Sequence, residues 1–534
     1  MPGALTRRPA PPFSVRRRQN CSNVGACVAN ACVCPAGRRG IDCAEGPAPP
    51  GGGCAASLWG VCVNASRPRV YVHHLPRNLS WAGNLDFGRE TSVIFLDRLL
   101  ASQYRTASPA DADYFFVPAV DHAAETSRAE ALEYVRQHAP DAWARAGGAD
   151  HLFIGTHDFG ADAYFPDRLA HPTTQMRVIF LSHMGLWLGS RRGGVRGSFI
   201  PGQDVVIPSN QPQMAGAMLS SPYLNAGAAA NATAAQRAEA LDAGAPAARP
   251  NLFFFAGSIY RGATDHNVRL AVENASAGHS DMHVVAGTTP RFHAEMVSSR
   301  FCLGAPGTGG GWGRRATTSA LHGCVPVFVQ DNTSATLDEL LPWRQFSLRY
   351  DEVQVPHLHA LLKQAEREPG RLASLQRHLA CVWPRFVYSS INGAAAQEDG
   401  RDDGFESVMQ LLRRRLARAP RDWPEPGDVD PARGADPAAR AARVAAEAQL
   451  EDVCAESSVA GAGGAHPPQG ADVAPRLPCR YYGHPLGDTC QWPPQEEALG
   501  DPASPRGGAV CVGAQPPCFW PRPANGTAAS NATL

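Results

Sequence analysis

Residues 298–343 read SSRFCLGAPGTGGGWGRRATTSALHGCVPVFVQDNTSATLDELLPW, and the rest of the chain is organised around them. A short apolar run, Phe301, Cys302 and Leu303, enters a glycine-rich loop from Gly304 to Gly313. Arg314 and Arg315 open a segment of helix-forming and small residues that stops at Gly323. Val325-Pro-Val-Phe-Val329, apolar and β-branched, reads as a buried strand. Strand, glycine loop, helix, strand is an order that gathers backbone N–H groups and a helix N-terminus around an anion. Two arginines add fixed positive charge suited to phosphate. The pattern points to a pocket for the pyrophosphate of an activated donor; a plain loop in a glycine-rich chain is the competing reading.

Outward from this stretch, strands alternate with helices, the signature of parallel α/β architecture. Arg69-Val-Tyr-Val72 is a first strand closed by the turn Leu75-Pro-Arg-Asn78, and Thr91 to Leu100 is an amphipathic helix. Strands are expected at Ala112–Pro118, His151–Gly155, Val178–Leu181 and Asp204–Pro208, with a helix from Ala129 to Ala146. Residues 213–249 turn alanine-rich and polar, as a linker or insertion would. Asn251-Leu-Phe-Phe-Phe-Ala-Gly257 then opens a second α/β series, which continues through His283–Val285 and a helix at Phe292–Ser298. Pro356 to Leu379 is amphipathic and helical, and Phe405 to Leu416 is a closing helix whose last turn carries Arg413, Arg414 and Arg415. From about residue 420 the chain is Pro/Ala/Gly-rich with low hydrophobic periodicity.

The 534 residues suffice for three or four units of ordinary domain size. A net charge of +0 gives no reason to expect nucleic acid or an acidic membrane as partner. Fifteen cysteines cluster toward both ends, which favours disulfides and an oxidising compartment. Asn-x-Ser/Thr sequons at Asn20, Asn64, Asn78, Asn231, Asn274, Asn332, Asn525 and Asn531 favour a secretory route. No stretch has the ~18 consecutive apolar residues of a membrane span. The opening MPGALTRRPAPPFSVRRR is basic without an apolar core, so it is no signal peptide. The secretory reading therefore expects an anchor in a segment preceding this sequence.

Residues 21–43, with spacing C-x5-C-x4-C-x-C-x8-C and Gly25, Gly37 and Gly40 at turn positions, resemble the later part of an epidermal-growth-factor-like module. Zinc is the competing reading, but C-x2-C hooks and histidines are lacking. The resemblance implies disulfides Cys21–Cys32 and Cys34–Cys43, with Cys27 left without its usual partner.

Beyond this module the residues are similar to the exostosin family, glycosyltransferase family 47. Ser298-Ser-Arg-Phe-Cys-Leu303, Pro306-Gly307, Gly323-Cys-Val-Pro-Val327, Leu341-Pro-Trp343 and Phe346 match its signature. So do Val70-Tyr-Val72 with Leu75-Pro76, Ala112-Asp113 with Phe115-Phe-Val-Pro118, Gly147-Gly148, Asp150-His151, His157-Asp158, Asp204–Pro208 and Phe254-Phe-Ala-Gly257. The resemblance covers about residues 68–418. It implies a GT-B type α/β fold, two Rossmann-like lobes facing across a cleft, with the small disulfide-rich module in front. The resulting organisation is a truncated or disordered leader at 1–20, the module at 21–43, a linker at 44–67, an acceptor lobe at 68–212, a low-complexity insertion or linker at 213–249, a donor lobe at 250–418 and a Pro/Ala/Gly-rich, cysteine-containing tail at 419–534.

The resemblance further implies an inverting, metal-independent transferase of the Golgi membrane, of type II orientation. Its donor would be a nucleotide-diphosphate sugar, expected to be a UDP-sugar used as co-substrate without a further cofactor. Its acceptor would be a glycan or glycoprotein. Without a metal, positive charge on the departing diphosphate must come from arginine and helix N-termini. Arg269, Arg314, Arg315 and the amides of Gly307, Gly309, Gly310 and Gly311 are the candidates, and Trp312 offers a stacking surface. The acceptor hydroxyl needs a base. Ligands bind beyond the carboxyl ends of strands in such sheets, so His157 and Asp158, which follow a strand, are preferred over Asp150 and His151, which precede it. Thr318 stands where the family often has a glutamate for ribose, Ala149 where an arginine is common, and Phe159 where an acid is common. These departures support the alternative of a catalytically silent glycan-binding or scaffold protein. Cys302 and Cys324 either form a disulfide or are small buried residues.

Overall fold

The computed structural model describes residues 26–28, 31–33, 67–75, 79, 91–102, 104–119, 127–157, 159–165, 177–192, 195–209, 249–259, 261, 267–304, 313–388, 403–417, 450, 452–454, 489–491 and 510–512. Two parallel sheets dominate it, as the two-lobed α/β expectation requires. The first is built from β3 Val70–Val72, β4 Arg105–Thr106, β5 Tyr114–Phe116, β6 His151–Gly155, β7 Ile179–Ser182 and β10 Val205–Val206, in the order β10-β7-β6-β5-β3-β4. A small hairpin of β8 (Arg191–Arg192) and β9 (Val195–Arg196) stands outside it. The second sheet is built from β11 Asn251–Gly257, β12 Met282–Ala286, β13 Ser299–Leu303, β14 Val325–Val329 and β15 Leu348–Tyr350, in the order β12-β11-β13-β14-β15. The fold is of the GT-B type.

Alternation along each strand builds two cores on either side of the first sheet. Val70, Val72, Tyr114, Phe116, Leu152, Ile154, Ile179 and Leu181 point into one, which runs on into the second lobe. Val117, Phe153 and Phe180 point into the other, covered by α2 (Ser127–His138) and α3 (Pro140–Ala144). A single helix expected from Ala129 to Ala146 is thus two, broken at Ala139 with φ −132° and ψ 54°. The residue before proline is pushed out of the helical region, and Pro140 then starts the next helix where no N–H is needed. The same physics divides Pro356–Leu379. A 3-10 turn at Glu352–His357 leads into α7 (Leu358–Arg367), and Gly370 at φ 74° starts α8 (Arg371–Val382).

The last helix among the described residues, α9 (Gly404–Ala417), returns to the first lobe. Phe405 packs edge-on to Phe95 of α1 (Thr91–Ala101) at 5.1 Å between centroids. Arg98 pairs with Asp403 at 3.4 Å, the Tyr104 hydroxyl donates to Glu406 at 2.7 Å, and the Tyr114 hydroxyl donates to the Leu412 carbonyl. Arg415 donates to the carbonyls of Gln203 and Asp204 and pairs with Glu339, so it joins both lobes to the helix.

Two disulfides are described. Cys302–Cys324 ties β13 to the residue before β14, which settles the alternatives left open for that pair. Cys381–Cys454 ties α8 to the segment 452–454. In the amino-terminal cysteine-rich stretch, an antiparallel hairpin of β1 (Ala26–Val28) and β2 (Ala31–Val33) sets Cys27 opposite Cys32 in register. Cys21, Cys34 and Cys43 lie outside the described residues, and with them the two disulfides expected there.

Candidate functional site

In the second sheet the chain passes from β11 to β12 on one side and then to β13 on the other. Strand order therefore reverses between β11 and β13, and a crevice opens beyond their carboxyl ends, where such sheets take ligands. Two arginines converge there. Arg269 comes from the first turn of α4 (Val268–Ser276), and Arg315 from the first turn of α6 (Gly313–Leu321), directly after the glycine-rich loop. Both guanidinium groups lie over the Phe255 ring, Arg315 at 5.3 Å and Arg269 at 5.4 Å from its centroid. Arg315 also lies 5.3 Å from the ring centroid of Phe292, which opens α5 (Phe292–Val297), so two rings hold it in a slot. Arg269 Nη1 donates to the Ser258 carbonyl at 2.8 Å.

The slot exists because β11 ends in glycine. A Cβ placed on Gly257 would stand 2.6 Å from Arg315 Nη2. Burial, and then the charge of Arg269, pull the Arg315 pKa down to about 10, which still leaves it a cation at neutral pH. Among the described residues Arg315 has no carboxylate partner. A largely buried guanidinium beside a second one is costly unless an anion completes the site.

The two sheets present their carboxyl ends to one another. Four residues beyond β7, Leu186 forms an antiparallel bridge with Thr333, four residues beyond β14. Trp187 N donates to the Asn332 carbonyl, Ser334 N to the Gly185 carbonyl, and Leu337 N to the Val206 carbonyl. The Trp187 indole N–H donates to Ser334 Oγ at 3.1 Å. This strap allows no room at Gly185, where a Cβ would stand 2.2 Å from the Ser334 carbonyl oxygen. The arginine slot thus lies at the carboxyl edge of the second sheet, the edge that also carries the strap to the first lobe.

On the first lobe, His157 sits half-buried just beyond β6. Its Nδ1 accepts the Phe159 N–H at 3.2 Å, so the neutral ring carries its proton on Nε2 and offers a donor there. Asp158 lies outside the described residues, as do Gly307, Gly309, Gly310, Gly311 and Trp312. Asp150 and His151 are instead interior groups. His151 is fully buried and its Nδ1 is 2.8 Å from Asp150 Oδ1. Arg145 Nε and Nη2 hold Asp150 Oδ2 at 2.9 and 2.7 Å. Burial pushes the Asp150 carboxyl up, but His151 and Arg145 outweigh it and hold it below its usual range. His73 stacks on His151 and Phe115, and burial, followed by the imidazoles of His151 and His74, pushes it down to about 3.

Arg314 is exposed on the first turn of α6. Its carbonyl accepts the Thr318 hydroxyl at 2.6 Å, and Thr318 is only 3% exposed, so that hydroxyl is turned onto its own helix. Sequence reasoning missed Phe255, Phe292 and Gly257 as parts of the site. An aromatic strand ending in glycine was legible, but its neighbours across the crevice were not. One cluster among the described residues has metal-ligand spacing, His378, Asp452 and Cys454. The Cys454 sulfur is bonded to Cys381 and offers no thiolate.

Known proteins are similar to this chain in sequence. Residues 64–365 match the family model described as the Exostosin GT47 domain, more than half of the chain. The chain is similar to a probable glucuronoxylan glucuronosyltransferase of Arabidopsis thaliana, 26% identical over 349 residues, which is 58% of this chain and 66% of the relative. It is similar also to "Probable glucuronosyltransferase GUT1" of Oryza sativa subsp. japonica, 23% identical over 67% of this chain and 84% of the relative. A third, "Probable glucuronosyltransferase Os03g0107900" of the same rice, is 28% identical over 55% of this chain and 69% of its own length.

Proposed function

Because the chain belongs to the Exostosin GT47 family of glycosyltransferases, we propose that it transfers a sugar from a nucleoside-diphosphate donor to a hydroxyl of a glycan or glycoprotein, inverting the anomeric centre. The observation that carries this reading is the pair Arg315 and Arg269, stacked on Phe255 at the reversal point of the second sheet. The names of the relatives favour a uronic acid as the transferred sugar, and the proposal takes UDP as the nucleotide. A Golgi location, with an anchor outside this sequence, is part of the same proposal.

In the reaction, the acceptor oxygen attacks the anomeric carbon from the face opposite the diphosphate. The bond from that carbon to the diphosphate oxygen breaks, and the leaving group gains negative charge. Arg315 and Arg269 would stabilise that charge where it develops, beside the aromatic rings of Phe255 and Phe292. Arg314 extends the positive field toward solvent. The base role on the acceptor hydroxyl would fall to His157 or Asp158, and the proton on Nε2 of the neutral His157 ring favours Asp158. The glycine run 307–311 would supply amides to the phosphates.

Calorimetry with UDP and GDP, together with release of UDP from a UDP-uronic acid, tests the proposal. Heat with UDP, lost in Arg315→Ala, is expected; absence of heat for either nucleotide in folded protein overturns it. The inward turn of the Thr318 hydroxyl favours a second reading, a silent member that keeps the nucleotide slot. Binding of UDP without turnover on any glycan acceptor would select that reading.

A further inference from the structure

Two sequons fall among the described residues, and the fold treats them oppositely. Asn274-Ala275-Ser276 closes α4. Its inward face is Val268 and Val272, and Asn274 is exposed on the outward face. The backbone there is finished off locally, with Ala277 N–H donating to the Asn274 carbonyl and the Ser276 hydroxyl donating to the Glu273 carbonyl. A large substituent on the Asn274 amide would meet solvent.

Asn332-Thr333-Ser334 is the strap between the lobes. Asn332 has φ 51°, its carbonyl accepts Trp187 N–H, and its side-chain oxygen is buried without a hydrogen-bond partner among the described residues. Thr333 is fully buried and Ser334 Oγ accepts the Trp187 indole. In the folded protein the two residues that complete this sequon, Thr333 and Ser334, are buried in the strap and offer no access to it.

We propose that Asn274 is an N-glycosylation site of this protein and that Asn332 is excluded from modification in every folded molecule. The step joins Asn274 Nδ2 to the anomeric carbon of an oligosaccharide carried on a polyprenyl diphosphate. The carbon–diphosphate oxygen bond breaks, the polyprenyl diphosphate leaves, and the amide gives up one proton. The proposal rests on the sequence evidence for a secretory route and not on the transferase reading. It marks the outward face of α4 as a sugar-bearing surface closed to protein partners.

The chain's own arginines make the test clean. After reduction, cleavage following arginine yields 270–291 with Asn274 and 316–344 with Asn332, as separate peptides. The full chain, fused to a cleavable leader, is secreted from a eukaryotic host and its monomeric fraction is treated with peptide N-glycosidase in heavy-oxygen water. A labelled aspartate at 274 and unlabelled asparagine at 332 are expected. Asn274→Gln should lose one glycan's mass on electrophoresis and still bind UDP as the parent does. Unlabelled Asn274 in the secreted monomer, or label at 332 in that fraction, overturns the proposal.

Discussion

Replacing Gly257 by alanine isolates the geometry of the arginine slot proposed to take the diphosphate. The backbone at Gly257 lies outside the left-handed region, so alanine brings no dihedral strain, only a methyl group 2.6 Å from Arg315 Nη2. Ordinary contact begins at 3.4 Å, so the guanidinium must retreat by about 0.8 Å. Phe255 and Phe292, each 5.3 Å away, block a sideways escape. Hydrogen bonds to phosphate are made at ~2.7–2.9 Å and weaken steeply beyond ~3.2 Å. The displacement therefore forfeits about one charge-assisted bond, worth roughly 1.5–3 kcal/mol, or about 10- to 150-fold in the UDP dissociation constant. Titration calorimetry on wild type, Gly257→Ala, Arg315→Ala and the double variant reads it. If the glycine acts through the arginine, the double variant binds no worse than Arg315→Ala alone. UDP affinity within twofold of wild type in Gly257→Ala, or additive losses in the double variant, would refute the reasoning.

Three further outcomes follow from buried polar groups and the strap. His73 is neutral in the folded protein with a pKa of about 3, whereas the unfolded chain takes up its proton below the usual 6.5. Stability is thus present at neutral pH and lost as pH falls below 6.5, by about 2 kcal/mol at pH 5; urea melts of His73→Phe should show a correspondingly shallower pH dependence, and an unchanged slope would contradict it. Arg249 donates to the carbonyls of Met296, Ser299 and His322. Arg249→Ala removes three hydrogen bonds to buried carbonyls, of which that of Met296 keeps the Ser298 N–H, and should cost about 3 kcal/mol in denaturant titrations. Gly185→Ala places a methyl group against the Ser334 carbonyl and should loosen the lobes, seen as earlier proteolysis between residues 186 and 206 and a lower melting temperature.

Much of this molecule could be read from its sequence because its strands are continuous apolar runs bounded by glycine and proline. β6, β11 and β14 fall at the residues that composition alone picks out. The helices were less sharply bounded, since Pro140 and Gly370 act on one or two dihedrals inside otherwise periodic segments. Arg315 could be singled out because it follows a glycine loop. What made it a site, the rings of Phe255 and Phe292 and the bare end of β11, comes from elements far away along the chain and is fixed only by packing. His151 shows the converse: a motif histidine whose chemistry is spent inside the lobe on Asp150. The inward turn of Thr318 also had no sequence signal, because a threonine in a helix can face either way.

The return of α9 to the first lobe has a consequence for how the protein is made. β10, the last strand of the first sheet, is complete at Val206, but Phe95, Tyr104 and Tyr114 meet Phe405, Glu406 and Leu412 only once Ala417 has been translated. A ribosome adding ~5–20 residues per second needs roughly 10 to 40 s for that interval. Throughout it the first lobe carries an uncovered aromatic face while the second is still emerging. The topology thus leaves the nascent first lobe with uncovered apolar surface until α9 arrives, and a message truncated within α9 would leave both lobes synthesised but the first without its lid.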